Sequence, residues 1–215
     1  MTKTEKKQYP GLLFVFEGID GSGKTTLTKK IHENLIQQKV DTILVSEPTN
    51  GYYGKLIREN AKKGFRFPPE KERDLFVKDR MENVSRTIIP ALKKGQIVLM
   101  DRYYISSMAY QGARGLNPEI IQSENEKFAP VPDILFILDI PVEVGLKRIF
   151  EKRKDQFDDF EKCDYLQKVR SLFLSFSFNN MHVLDAQQSQ NSLEHSVMNK
   201  ILQKLQKYNP HQSIQ

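Results

Sequence analysis

Eight residues, Gly18-Ile19-Asp20-Gly21-Ser22-Gly23-Lys24-Thr25, set three glycines around one lysine and follow the lysine with a hydroxyl. The pattern is G-x-x-x-x-G-K-[ST]. Glycines let a loop turn back on itself until successive backbone N–H groups converge on one anion. The lysine reaches the β- and γ-phosphates of a nucleoside triphosphate, and the hydroxyl ligates Mg²⁺. A second passage, IVLMDRYYISSMAYQGARG (97–115), ends an apolar run in Asp101, a carboxylate placed to hold Mg²⁺ directly or through water. Arg102 comes next, with a planar fork suited to phosphate. Ser107, Tyr110 and Gln111 then stand at i, i+3 and i+4, one face of a short helix. They could read a base and sugar there. Singly, Asp101-Arg102 could equally be a surface ion pair and Tyr110 a core ring.

These groups need elements to carry them. Leu12 to Phe16 is a short apolar run that ends at the glycine turn, as in a strand buried on both faces. From Thr25 to about Gln38, Leu27, Ile31 and Leu35 recur at helical spacing. Further strands are expected at 42–46, 96–100, 133–140 and 181–186, with helices near 70–94, 105–112, 117–126, 142–178 and 192–207. Asn191 and Glu194 suggest the cap of the last helix. Strands alternating with helices make a parallel sheet in an α/β fold, with ligands at the carboxyl ends of the strands. The two phosphate-binding passages fall at such ends. No repeat, low-complexity tract or linker divides the chain, so a single domain spanning 1–215 is expected.

Bulk composition narrows the function further. The apolar fraction is 39%, enough for a real core, and Cys163 is the sole cysteine, which excludes an intrachain disulfide and a thiolate zinc cluster. A reducing, cytoplasmic setting is expected. No apolar run approaches a bilayer span, and residues 1–10 do not read as a signal peptide. The net charge of +6 sits mostly at the ends. Lys3, Lys6 and Lys7 outweigh Glu5 near the start, and Lys200, Lys204 and Lys207 stand without an acid in residues 200–215. A duplex-binding face would gather cations on the folded body. Neither nucleic acid nor a membrane is therefore an expected partner, and residues 1–10 and about 208–215 read as flexible, solubilising ends.

Together the passages FEGIDGSGKTT, LFVKDR, DRYYISSMAYQG and LDIPVEVGLKR, in this order over about residues 11–186, resemble the thymidylate kinase family. The resemblance implies a P-loop nucleoside monophosphate kinase fold: a five-stranded parallel sheet in the order 2-3-1-4-5, helices on both faces and a mobile lid. It implies ATP as donor, Mg²⁺ as cofactor, dTMP as acceptor and a homodimer. Gly18, Ile19, Asp20, Gly21, Ser22, Gly23, Lys24, Thr25 and Thr26 match the ATP-binding loop, and Arg148 a position against the adenine. Phe76 matches the ring that stacks on thymine, and Arg80, one turn later, a donor to its carbonyl oxygen. Ser107 and Gln111 match positions at the base's polar edge, and Tyr110 a ring that crowds the sugar 2′ position. Asp20 matches a carboxylate near the acceptor's 3′-hydroxyl and the metal; Arg102 would bind the acceptor phosphate; Thr25 and Asp101 would serve the metal.

Residues 147–162, KRIFEKRKDQFDDFEK, mix six basic with five acidic side chains, which reads as a solvated helix or as the lid. In the family, a loop without arginine between Gly18 and Gly23 goes with basic catalytic residues in the lid. Arg153 is the first candidate, with Lys152 and Lys154 as substitutes. Lys24, Arg102, Arg153 and Asp20 thus form the expected catalytic set. The chain departs from the family pattern at Ser46, where an arginine commonly precedes Glu-Pro, and at Gln156, where the lid commonly has arginine. A kinase for other small nucleotides and a non-catalytic nucleotide sensor are the competing readings of the sequence.

Overall fold

In a computed structural model the described residues are 9–63, 66–153 and 160–208, with the side chains of 152–153 and 160–162 excepted. Five strands form one parallel sheet: β1 (Leu12–Glu17), β2 (Thr42–Ser46), β3 (Ile97–Asp101), β4 (Ile134–Asp139) and β5 (Met181–Asp185). Their order is β2-β3-β1-β4-β5, as expected. The three inner strands, LLFVFE, IVLMD and ILFILD, are apolar along nearly their whole length. Every residue in them is buried except the half-exposed Asp139, which requires cover on both faces of the sheet. The edge strands β2 and β5 are less completely covered.

Register brings the chemistry together. Phe16 of β1 and Ser46 of β2 both pair with Asp101 of β3. The carboxyl ends of three strands are therefore level, and the glycine loop after β1 emerges beside Asp101-Arg102.

Helices surround the sheet. α1 (Lys24–Gln37) buries Leu27, Ile31 and Leu35, as its spacing predicts, and packs on α9 (Gln190–Tyr208) and on β1 to β3. α5 (Tyr104–Gly112), α6 (Pro118–Glu126) and α8 (Phe160–Ser175) gather into a second group, with α8 against β4. α7 (Val142–Arg153) precedes α8, and residues 154–159 between them lie outside the described residues.

Three details differ from expectation. Residues Tyr52–Lys62 form a helix, α2, where the sequence pattern predicts no element. The expected helix 70–94 is α3 (Pro69–Asn83), one π turn (Val84–Ile88) and α4 (Ile89–Lys93). Pro90 has no N–H to close an ordinary α turn, and the widened turn lies directly ahead of it. The last helix begins at Gln190 and is capped by the Ser189 hydroxyl, which accepts the Ser192 N–H at 3.2 Å; Asn191 lies inside the helix, and Glu194 instead accepts from Asn34 at 3.3 Å.

Candidate active site

The donor loop is shaped by close backbone approach. Gly21 has φ +81°, and a Cβ there would lie 2.1 Å from the Gly145 carbonyl oxygen of α7. Only glycine fits. Gly23 N-caps α1 in the left-handed conformation, so the helix presents its N-terminal amides to the loop. Lys24 is buried and folds over the loop, donating to the Ile19 carbonyl at 2.9 Å and to Ser22 Oγ at 3.4 Å. Burial, and then repulsion from Arg102, push its pKa down to about 8, against the pull of Asp20, Asp101 and Glu17.

Thr25 Oγ1 donates to Asp101 Oδ2 at 2.5 Å. Asp101 is buried at the end of β3, and its Oδ1 has no hydrogen-bond partner among the described residues. A hydroxyl beside a carboxylate with one unused oxygen suits a hard cation. Mg²⁺ prefers oxygen, retains water and takes one or two carboxylates plus phosphates. The residues present fit that ion.

A cavity of about 660 Å³ opens over the loop. Its wall includes Asp20, Gly21 to Thr26 and Arg148. Arg148 donates to the Ala186 carbonyl at 3.1 Å, and both residues belong to the wall. Gly18 and Ile19 support the loop from below rather than lining the cavity; a Cβ at Gly18 would lie 2.5 Å from the Leu138 carbonyl oxygen.

A second, smaller cavity of about 220 Å³ adjoins it. Phe76, Arg80, Arg102, Ser107, Tyr110 and Gln111 all line it, so the residues assigned to the acceptor converge. Arg80 is almost fully buried and rigidly held. Its Nε donates to Glu47 Oε2 at 2.8 Å, Nη1 to Asn125 Oδ1 at 2.7 Å and Nη2 to Ser107 Oγ at 3.1 Å. Each terminal nitrogen retains a second N–H for a ligand. Gln111 donates to Glu72 at 3.3 Å, while its buried Oε1 has no partner among the described residues. That oxygen is an unused acceptor on a residue of the cavity wall.

Asp20, Arg102 and Tyr110 belong to the walls of both cavities. Arg102 has φ +71°, rare for a non-glycine residue, and its N–H donates to the Phe16 carbonyl at 3.0 Å. The left-handed turn sends the guanidinium over the Tyr110 ring, 5.2 Å from its centre, to bond Asp20, Ser106 Oγ at 3.0 Å and Tyr110 OH at 3.4 Å. Positive charge thus stands at the seam where two nucleotides would meet end to end.

Comparison with known proteins agrees with this arrangement. Residues 16–197 match the family model described as Thymidylate kinase. The chain belongs to the thymidylate kinase family. It is 42% identical over 196 residues to a thymidylate kinase of Desulfotalea psychrophila, covering 91% of this chain and 96% of the relative. It is 47% identical over 176 residues to one from Akkermansia muciniphila, covering 82% and 84%. A probable thymidylate kinase of Archaeoglobus fulgidus is 41% identical over 175 residues, covering 81% and 87%.

Several residues around the thymidylate kinase site carry no signal in the sequence. Glu17 and Glu47 are buried carboxylates behind Arg102 and Arg80. Glu47 precedes a cis peptide to Pro48, and its pKa is raised by burial against the pull of Arg80 and Asn83. Arg58 of α2 lines the smaller cavity and donates to the Pro48 carbonyl at 2.6 Å. Arg66 lines the larger one, 4.7 Å over the Tyr165 ring. Arg58 is thus a cation beside the segment where Ser46 supplies none. Arg153 ends α7, and its side chain, like Lys154 and Gln156, lies outside the described residues.

Proposed function

We propose that the chain transfers the γ-phosphoryl group of ATP to dTMP, giving dTDP and ADP in dTTP synthesis. The observation that carries this reading is the joining of two cavities at Arg102, one walled by the Lys24 loop and the other by Phe76 and Arg80. A phosphate oxygen of dTMP attacks the γ-phosphorus in line, and the bond to the β-phosphate oxygen breaks. The acceptor is already an anion, so no strong base is needed. Catalysis then rests on alignment and charge.

Lys24 leaves its loop carbonyl for the β- and γ-phosphates, and Asp20 to Thr26, on the turn that Gly18 and Ile19 support from below, hold the triphosphate through backbone amides. Arg102 exchanges part of its contact with Asp20 for the acceptor phosphate. Thr25 and Asp101 would hold Mg²⁺, which would supply neutralisation of phosphate charge. Phe76 stacks on thymine, Arg80, Ser107 and Gln111 meet its polar edge, and Tyr110 closes the space a 2′-hydroxyl would need. Arg148 lies against the adenine. Residues 147–162 act as a lid that excludes water, with Arg153 delivering charge to the transferring group.

The whole chain works as one kinase domain, as a cytoplasmic homodimer without nucleic-acid or membrane partners. No helix among the described residues is long and apolar enough to cross a membrane. A coupled ADP-release assay with a panel of acceptors tests the assignment. dTMP should outperform dCMP, dAMP, UMP and thymidine; a better rate with any of these overturns it.

A further inference from the structure

Glu17 closes β1 one residue before the donor loop, yet it borders neither cavity and no step of the transfer calls on it. Its carboxylate is fully buried in a strand whose other members are all apolar. Such a group persists only where its oxygens are well used. Both are turned toward the acceptor corner. Oε1 accepts the Tyr103 N–H at 2.7 Å and the Ser106 N–H at 3.0 Å. These are amides of the first turn of α5, whose own N-cap residue, Tyr103, makes no side-chain cap. Glu17 caps that helix from a different strand. Oε2 accepts the Ser106 hydroxyl, and Ser106 Oγ in turn accepts from Arg102 Nη1 at 3.0 Å.

A short relay therefore runs from the donor strand through one hydroxyl to the guanidinium at the seam. Arg102 has need of it, since a left-handed non-glycine residue keeps its conformation only when its surroundings over-determine it. Arg102 and Glu17 also act on one another electrostatically: the arginine opposes the rise that burial imposes on the Glu17 pKa.

We propose that Glu17 is a positioning residue for the acceptor phosphate, fixing the Arg102 guanidinium through Ser106 so that it faces the seam between the two nucleotide cavities. The inference rests on the reading that Arg102 binds that phosphate.

The test separates phosphate placement from general damage by titrating dTMP and thymidine, which differ by the phosphate alone, into the full chain. Glu17→Gln keeps an acceptor for the two amides but turns an NH₂ donor toward Ser106, so the hydroxyl loses its acceptor and Arg102 loses the neighbouring charge. Ser106→Ala leaves the carboxylate and both amide bonds in place and removes only the relay. Each variant should weaken dTMP binding by about tenfold, the scale of one charge-assisted hydrogen bond, and change thymidine binding less than about twofold. Combined, they should weaken dTMP little more than either alone, because both break one chain.

Equal weakening of dTMP and thymidine, or unchanged dTMP affinity, overturns the inference. Arg102→Ala is the reference: if it leaves dTMP binding intact, the assignment of Arg102 itself fails. If it weakens dTMP while the other two do not, only the role of Glu17 fails. Should circular dichroism show Glu17→Gln unfolded, Ser106→Ala decides by the same comparison.

Discussion

Arg80→Met probes the buried hub at the wall of the smaller cavity. In the native chain the Arg80 and Glu47 side chains are 1% and 3% exposed and meet at 2.8 Å. Methionine fills much of the aliphatic volume but removes this contact and the bonds to Asn125 and Ser107. Breaking a buried ion pair by removing one partner costs about 3–5 kcal/mol, mainly because the remaining charge stays dry. For a chain of this size the melting temperature should fall by about 10 °C or more. The loss has a pH signature. Burial already raises the Glu47 pKa, Arg80 and Asn83 pull it back, and Asp79 adds to the rise. Without Arg80 the folded-state value climbs further above its ordinary 4.5. The folded state then holds a proton that the unfolded chain releases, so stability falls as pH rises from about 4.5 through the raised folded pKa. The variant should suffer this more than the native chain. Melts followed by circular dichroism should show a wider deficit near pH 7.5 than near pH 5.5, and adding Glu47→Gln should remove most of the difference. A deficit equal at both pH values, or below about 3 °C, would falsify the claim that this pair is desolvated and mutually dependent.

The seam and the loop carry further expected outcomes. Lys24 must be charged to meet phosphate, and its pKa is lowered to about 8, so kcat/KM for ATP should decline as pH rises through that value; Lys24→Ala should lose transfer entirely while melting normally, and a flat native profile between about pH 7 and 9 would contradict this. Asp101→Asn should raise the Mg²⁺ concentration for half-maximal rate by about tenfold, since a neutral amide replaces the only carboxylate bonded to Thr25 among the described residues; an unchanged Mg²⁺ titration removes Asp101 from the metal site. Tyr110→Ala should lower kcat/KM for dTMP, because the ring supports Arg102, yet raise the ratio of ribothymidine to thymidine monophosphate use by about tenfold. A ratio that stays put means the ring does not exclude the 2′-hydroxyl.

The donor loop is readable in the chain because its requirement is local: glycines, a lysine and a helix start within one turn. The inner strands are readable for a similar reason, since burial on both faces leaves an unbroken apolar run. α2 is not. Its approach, Glu47 to Gly54, is rich in turn-forming residues, and Gly54 lies inside the helix for a tertiary reason. A Cβ there would fall 2.0 Å from the Thr49 carbonyl oxygen, so a residue that reads as a helix breaker is a packing contact. With α2 goes Arg58. Glu17 is hidden differently, as a charge at the end of an apolar strand whose partners lie 86 and 89 residues away. Phe76 and Arg80 fall between these cases: their four-residue spacing puts them on one face, and only the resemblance says what that face holds.

The meeting of Gly21 with Gly145 has a mechanical corollary. A Cβ at Gly145 would lie 2.9 Å from the Asp20 carbonyl oxygen, and one at Gly21 closer still to the Gly145 carbonyl oxygen. Main chain abuts main chain there, with no side chain between to flex and absorb a displacement. A displacement of the loop at Gly21 would therefore press directly on the first turn of α7, the helix that bears Arg148 and ends at Arg153.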